Sequence, residues 1–341
     1  MDYKASGVDI DAANEVVERV KQFARSTFTD GVLSDIGTFG GLFRPELGAM
    51  QEPVLVASAD GVGTKLKVAF ATNEHGTIGA DLVNHCVNDI LVQGARPIFF
   101  LDYLAMGRLA PDVSVAVIGG VARGCKGNGC ALLGGETAEM PGFYADGEYD
   151  LAGFVVGLVD RARIIDGRDI RPGDVVIGLP STGLHTNGYS LARRILFEQL
   201  DFNVDSEVKE LGCTIGEELL RPHCSYLKTV RPTIDADLVK GIAHITGGGL
   251  TDNLPRILPP GTSALVDRTT WPRPPIFDLL QKGGDVPVED MYRTFNMGIG
   301  MVLICAKDAT PTVLAQLEST GEVGAALIGE IAEGDRCVVY A

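Results

Sequence analysis

Short apolar runs alternate with amphipathic stretches along the whole chain, and this alternation predicts strands separated by helices. In the first half, the runs typical of strands are 54–58, 98–106, 130–135 and 151–159. Apolar residues recur with helical spacing between them, at 79–94 and 114–125. Four strands with intervening helices favour an α/β or α+β domain.

The second half repeats the alternation after a charged stretch at 160–174, whose Pro172-Gly173 end predicts a domain boundary. Further strands are predicted at 175–179, just before His244, and at 264–267, 298–306, 325–331 and 337–340. Helices are predicted from about 187 and at 250–258, 275–281 and 311–320. We therefore predict two α/β domains, 1–170 and 171–341.

Composition limits the classes of partner. At roughly 150 residues per domain, 341 residues also indicate two domains. The 29 basic against 45 acidic residues leave a net charge of −16, which would repel a nucleic-acid backbone.

No uncharged apolar run reaches the roughly 18 residues of a membrane span, and the first residues lack the apolar core of a secretion signal. Seven scattered cysteines without a CxxC pair favour the cytoplasm and a packing role over zinc binding.

A loop suited to phosphate follows the first strand. The segment Asp60-Gly61-Val62-Gly63-Thr64-Lys65 combines a carboxylate, two glycines, a hydroxyl and a cation. Such a loop can bring backbone N–H groups close to a phosphate. Neither GxxxxGK[ST] nor GxGxxG occurs in the sequence, so the loop is not a known nucleotide fingerprint. A simple tight turn is the alternative, and the added Thr-Lys favours the phosphate loop.

The helix predicted at 79–94 has two faces. One is apolar, while Asp81, His85, Asn88 and Asp89 share the other at spacings of four, seven and eight residues. A solvated face is the usual meaning of such a stripe. However, Asn, His and Asp are poor helix formers, which favours a functional stripe. Asp81 and Asp89 are therefore predicted to hold Mg²⁺ together with Asp60.

Further acidic residues interrupt apolar strands. The run Gly134-Gly135-Glu136-Thr137 follows a short strand, and Asp102 lies inside another. A carboxylate in a buried strand is costly unless it is paired or bound to metal. We therefore expect Asp102 and Glu136 to join Asp60, Asp81 and Asp89 in one pocket that holds a cation.

Two loops of small residues stand out in the second half. The first runs Ser181-Thr182-Gly183-Leu184-His185-Thr186-Asn187 and the second Thr246-Gly247-Gly248-Gly249, each before a predicted helix. Free N–H groups at a helix start favour anions, and Asn187 is a candidate N-cap. His185 is the one histidine in a Gly-rich loop, which makes it a candidate for proton transfer. A separate Gly-rich stretch at 36–43 is either a lid over a nucleotide or an ordered turn.

With these motifs, the chain resembles the phosphoribosylformylglycinamidine cyclo-ligase family, also called aminoimidazole ribonucleotide synthetases, almost end to end. The motifs that carry the resemblance occur in the family's order: GVDIDA near Val8, DGVGTK, VNDILVQGA, FFLDY, GGETAEMPG, DLAGF, STGLHTNGYSL, AHITGGG and MYRTFNMGIGM. The resemblance implies two α/β domains. It also implies a homodimer in which the N-terminal strands of two subunits form an intersubunit β-barrel.

The resemblance further implies ring closure of formylglycinamidine ribonucleotide to aminoimidazole ribonucleotide, with ATP and Mg²⁺ as cofactors. Whether K⁺ is also required stays open. Lys65 and Mg²⁺ on Asp60, Asp81 and Asp89 would neutralise the triphosphate, and Glu136 and Thr137 would complete that site. The two loops of the second half would hold phosphate, and His185 would move the proton. His185, Asp89 and Lys65 are thus the expected catalytic residues.

Relatives of this family are the main alternatives. Selenophosphate synthetase would need a reactive Cys at 31–49, and the hydrogenase maturation protein would end in Cys; neither occurs here. Thiamine monophosphate kinase and the synthetase of the preceding purine step share the ATP-binding half, and the latter is far longer in its common form. A non-catalytic nucleotide-binding regulator is an alternative of another class. The two phosphate loops and His185 argue against it, because a sensor needs only one ligand site.

Overall fold

The computed structural model describes residues 10–341, with side chains from Asn14 onward, so the start of the GVDIDA motif lies outside the described residues. The chain forms two compact units. The first contains the residues up to Leu91 together with Ala95–Ala162, and the second contains Val92–Gly94 and Arg163–Ala341.

The first unit contains a mixed sheet and helices. Its strands are β1 (Pro53–Gly61), β2 (Arg96–Met106), β3 (Ala131–Glu139) and β4 (Tyr149–Asp160). Its helices are α1 (Ile10–Arg25), α2 (Leu66–Thr72), α3 (Ile78–Leu91) and α4 (Pro111–Asn128). The four strands predicted from apolar runs are therefore confirmed, as are the helices corresponding to α3 and α4.

The four-stranded sheet has the order β1-β4-β2-β3. β4 is antiparallel to both β1 and β2, whereas β2 and β3 are parallel, so β1, β2 and β3 all end at the same end of the sheet. α3 packs across β1, β4 and β2, and α4 packs on α3 and on β2 and β3. The opposite face of the sheet carries large apolar side chains in solvent, with Leu55 66% and Phe154 44% exposed.

The second unit has more elements. Its strands are β5 (Val175–Pro180), β6 (Glu207–Val208), β7 (Cys213–Thr214), β8 (Gly241–His244), β9 (Thr262–Val266), β10 (Ile299–Cys305), β11 (Ala326–Glu333) and β12 (Val338–Tyr340). Its helices are α5 (Tyr189–Arg193), α6 (Ile215–Leu219), α7 (Leu227–Asp235), α8 (Gly249–Asn253), α9 (Pro275–Gly284), α10 (Val288–Thr294) and α11 (Thr310–Ser319). α5 continues as a π-helical turn over Arg194–Gln199.

A six-stranded sheet in the order β12-β9-β11-β5-β10-β8 organises the second unit, beside a small β6-β7 pair. Every residue of β10 is buried, as expected for an uninterrupted apolar run inside a sheet. β10 is antiparallel to both β5 and β8. β5 and β8 therefore run parallel to each other, and their last residues lie at the same end of the sheet. The loops that follow β5 and β8 are therefore neighbours. Within the described residues, no helix is long and apolar enough to cross a membrane.

Candidate active site

A polar network joins the end of β1 to α3. Nε2 of His85 lies 2.7 Å from Oδ2 of Asp60 and 3.9 Å from Oδ2 of Asp89. The Ser58 hydroxyl donates to the same Asp89 oxygen at 3.0 Å. Burial opposes a charged His85 ring, but the hydrogen bond with Asp60 and the neighbouring carboxylates raise its pKa overall. The polar stripe of α3 is thus not a solvated face, since Asp81 and Asn88 are fully buried.

Lys65 and Asp81 form an ion pair inside the first unit. Lys65 Nζ lies 2.8 Å from Asp81 Oδ2, and both side chains have no exposed surface. Burial lowers the pKa of Lys65, and Asp81 partly offsets that effect. The sequence favoured Lys65 at the triphosphate and Asp81 at the metal, whereas the structure pairs the two side chains with each other away from solvent. Their charges instead neutralise each other.

Asp60 and Asp89 remain suited to a cation. Their side chains are 41% and 27% exposed, and the His85 ring contacts both. Mg²⁺ is usually bound by one or two carboxylates together with substrate phosphates and water. This pair of carboxylates therefore fits the metal predicted from the sequence, with two of the three expected ligands.

The acidic residues of the sheet do not form one pocket. One cross-strand row lies on the helical side of the sheet. It contains Asp60 on β1, Gly153 on β4, Asp102 on β2 and Gly135 on β3. A Cβ on Gly135 would approach Oδ1 of Asp102 to 2.3 Å. Burial raises the pKa of Asp102 to about 7. Glu136 alternates with Gly135, so it lies on the opposite face of the sheet from Asp60, which corrects the expected grouping.

The two predicted ATP-binding segments lie on the outer strands. Gly61 ends β1, and a 3-10 turn over Gly63–Lys65 follows it, with Gly63 and Thr64 exposed. Gly134-Gly135-Glu136-Thr137 belongs to β3 at the other edge. Three strand spacings separate these edges, about 14 Å. Within the first unit, the structure does not bring the two segments into contact.

The predicted lid is a hairpin-like loop. Leu33 N donates to Leu42 O, and Arg44 N donates to Gly31 O. Phe39 at its tip is fully exposed, while a Cβ on Gly41 would collide with the Leu133 side chain. The loop is therefore anchored on β3 at its base, with its tip in solvent.

The two small-residue loops of the second unit lie side by side. The first, residues 181–187, follows β5, and the second, residues 246–249, follows β8 at the same sheet edge. A Cβ on Gly247 would lie 3.3 Å from Oδ1 of Asn187, so the loops are in contact. The expectation that Asn187 caps the next helix is wrong. α5 begins after Gly188, which adopts the left-handed conformation and provides no side-chain cap.

His185 is buried rather than presented to solvent. It is 1% exposed and has a left-handed φ of 61°, unusual for a residue other than glycine. The Thr182 N–H donates to its Nε2 at 3.2 Å, and Cys224 Sγ lies 3.6 Å from the same nitrogen. Its ring stacks on His223 at 4.0 Å between centroids. The accepting Nε2 places the hydrogen of a neutral ring on Nδ1.

Sequence reasoning missed two buried residues that contact these loops, Asn253 and Asn296. Asn253 lies four residues beyond the triple glycine, and Asn296 lies in the MYRTFNMGIGM motif. Their only signal was an uncharged amide within a largely apolar segment, where a polar group needs partners.

Comparisons with known proteins agree with the two-unit organisation. The family model of the AIR synthase related protein N-terminal domain matches residues 46–159, and that of the C-terminal domain matches residues 171–341. The phosphoribosylformylglycinamidine cyclo-ligase of Syntrophotalea carbinolica is 54% identical over 333 residues, 98% of this chain and 95% of the relative. The chain belongs to the phosphoribosylformylglycinamidine cyclo-ligase family. This confirms the resemblance inferred from the motifs.

Solved structures outside the cyclo-ligase family share its fold. Thiamine-monophosphate kinase from Stenotrophomonas maltophilia superposes with a TM-score of 0.69 at 20% identity, covering 96% of this chain and 95% of that one. Hydrogenase maturation protein HypE, solved in complex with ATP, gives a TM-score of 0.64 at 19% identity, with 93% and 88% covered. At such identities the likeness shows the fold alone.

Proposed function

We propose that this cyclo-ligase family member closes the imidazole ring of formylglycinamidine ribonucleotide in an ATP-dependent reaction of purine biosynthesis, giving aminoimidazole ribonucleotide, ADP and phosphate. The observation that carries the proposal is the 54% identity to a named cyclo-ligase over nearly the whole chain. The polar network of the first unit and the paired loops of the second supply groups that suit its chemistry.

The chemistry has two steps. The formyl oxygen attacks the γ-phosphorus of ATP, so a C–O–P linkage forms and ADP leaves. The substrate's own nitrogen then attacks the formyl carbon, the C–O bond breaks, and phosphate departs with the former formyl oxygen. One proton is released as the ring forms. Phosphorylation thus converts a poor leaving group into a good one.

Asp60 and Asp89 are the proposed Mg²⁺ ligands. When bound, Mg²⁺ would neutralise charge on the triphosphate, which is the main route to phosphoryl-transfer catalysis. His85 is hydrogen-bonded to Asp60, and the Ser58 hydroxyl donates to Asp89, so both carboxylates are held in place. The exposed Gly63 and Thr64 after β1 are proposed to contact ATP, together with Gly134, Gly135 and Thr137, whereas Lys65 acts by neutralising Asp81.

The loops of the second unit are the proposed phosphate sites. The N–H groups of Ser181, Thr182 and Gly249 are bonded within the unit, so the proposed phosphate donors are the N–H groups of Gly183, Gly247 and Gly248, in loops without acidic side chains. His185 is proposed to accept or return the proton of ring closure. Its Nε2 accepts the Thr182 N–H and so holds its own loop, and proton transfer at this nitrogen requires that hydrogen bond to open.

We also propose a homodimer. The sheet face opposite α3 exposes Leu55 on β1 and Phe154 on β4, and such side chains in solvent mark interaction surfaces when they are contiguous. Covering this face with the same face of a second copy would produce the intersubunit barrel. A cytoplasmic location is proposed as well, since all seven cysteines are free thiols.

Asp89→Ala tests the proposed metal site. We expect turnover to fall at least about a hundredfold, because the metal loses a direct ligand. Asp146→Ala, which removes an exposed loop carboxylate, is the matched control and should retain activity. Activity of Asp89→Ala within a factor of two of wild type would remove Asp89 from the site. Omitting Mg²⁺ or K⁺ from the same assay tests each cation.

A further inference from the structure

Residues 296–298 lie between the two loops of the second unit. This segment leads into β10, which is flanked by β5 and β8 in the sheet. Ser181 N donates to Gly298 O at 2.8 Å, and Ile245 N donates to Gly300 O at 3.0 Å. The start of β10 therefore holds the first residue after each neighbouring strand.

The side chain of Asn296 fixes the first loop. It is 3% exposed, and its Nδ2 donates to Gly183 O at 2.8 Å. Its Oδ1 accepts from Gly298 N at 2.8 Å and lies 2.9 Å from the Ser181 hydroxyl. Because one side of the amide meets donors and the other meets a carbonyl, its orientation is determined by these contacts.

The side chain of Asn253 does the same for the second loop. It is 2% exposed, and its Nδ2 lies 2.8 Å from Gly249 O, 3.1 Å from Gly247 O and 3.4 Å from Thr246 O. The Thr246 hydroxyl faces its Oδ1 at 3.4 Å. The amide nitrogen thus gathers three carbonyl groups of a loop that has three glycines in a row.

Fixing a carbonyl also fixes the next N–H. The peptide unit is planar and trans, so its C=O and N–H groups point in opposite directions. A Gly183 carbonyl held toward Asn296 turns the Leu184 N–H away from Asn296. A Gly247 carbonyl held toward Asn253 likewise turns the Gly248 N–H away from Asn253. Without such contacts, glycines would sample many peptide orientations.

We propose that Asn253 and Asn296 are positioning residues that orient the backbone N–H groups of the two loops for the phosphate of the ribonucleotide. This inference rests on the proposed function, in which these loops hold phosphate. Neither side chain touches the ligand. Each acts through the peptide groups that it holds, and it requires an amide because both a donor and an acceptor are used.

Asn296→Asp and Asn253→Asp test this role with nearly unchanged volume. Each replaces the donating Nδ2 by an oxygen that repels the facing carbonyls. We expect each variant to raise KM for the ribonucleotide at least about tenfold, with kcat and KM for ATP changed less than about threefold. Calorimetry with ribose 5-phosphate should show the same loss of affinity in the absence of turnover.

Asn128→Asp is the matched control. Asn128 is 7% exposed, and its Nδ2 donates to Gly124 O and to Asn84 Oδ1 at 2.8 Å, in α4 of the first unit. It should lose stability without a change in ribonucleotide KM. Should an Asp variant fail to fold, Ser181→Ala and Thr246→Val each remove one hydroxyl contact and should raise the same KM by a smaller factor.

Two results would overturn the inference. One is an unchanged ribonucleotide KM in folded Asn253→Asp and Asn296→Asp. The other is a KM effect no larger than that of Asn128→Asp. Failure of the proposed function is distinguishable, because wild-type protein would then show no turnover, while ribose 5-phosphate binding still reports on the loops.

Discussion

Removing one partner of the Lys65–Asp81 ion pair should destabilise the first unit strongly. The two charges lie 2.8 Å apart without exposed surface, so Asp81→Asn leaves the Lys65 charge buried without its counter-charge. Breaking a buried pair in this way costs about 3–5 kcal/mol. For a unit of this size, that corresponds to a fall in Tm of about 6–20 °C.

Calorimetry on a double-mutant cycle measures the effect. Lys65→Met and Asp81→Leu should each cost a similar amount, whereas the double variant Lys65→Met/Asp81→Leu should recover most of the loss, because no unpaired charge remains. Glu52→Gln breaks the exposed Arg161–Glu52 pair at 2.7 Å and serves as the control, with no resolvable change in Tm.

The outcome decides between a structural and a catalytic pair. The sequence alone favoured Lys65 at the triphosphate and Asp81 at the metal. If Asp81→Asn keeps its stability within about 1 kcal/mol but loses turnover a hundredfold, that assignment is right and the structural interpretation is refuted.

Three further predictions follow from other parts of the first unit. The pKa of Asp102 is raised from 3.8 to about 7, so the folded state binds the proton more tightly and stability falls as the pH rises through this window. Asp102→Asn should therefore add up to about 4 kcal/mol at pH 8 and nothing at pH 4, measured by urea unfolding; an equal effect at both pH values would exclude the raised pKa. Leu55→Asp with Phe154→Glu should convert the proposed dimer to monomer in light scattering, and an unchanged mass would argue against this interface. Saturating Mg-ATP should protect residues 29–49 from proteolysis, and unchanged cleavage would rule out a lid.

Periodicity predicted most of the fold because its strands are buried apolar runs. β10 is buried throughout, and α3 has a clear apolar face, so the spacing of apolar residues in the sequence predicts both elements. The helices that were not predicted are α1, α2, α6, α7 and α10. α7 contains Pro232, which normally argues against a helix, and α2, α6 and α10 have seven residues or fewer.

The sequence predicted which residues belong to the candidate site but not which of them contact one another. Residue types identified the stripe on α3, yet only the fold shows that Asp81 meets Lys65 while Asp89 meets Ser58 and His85. Strand order decided that Glu136 is far from Asp60, and no local pattern encodes strand order. Asn296 contacts Gly183 across 113 residues of sequence, which spacing cannot reveal.

The most direct test of the proposed ring closure follows the formyl oxygen. Wild-type protein is given ATP, Mg²⁺ and formylglycinamidine ribonucleotide carrying ¹⁸O in the formyl group, and the products are examined by mass spectrometry. We expect aminoimidazole ribonucleotide, ADP and phosphate in equal amounts, with the label in the phosphate. Phosphate without the label, or no ADP and no aminoimidazole product, would contradict it.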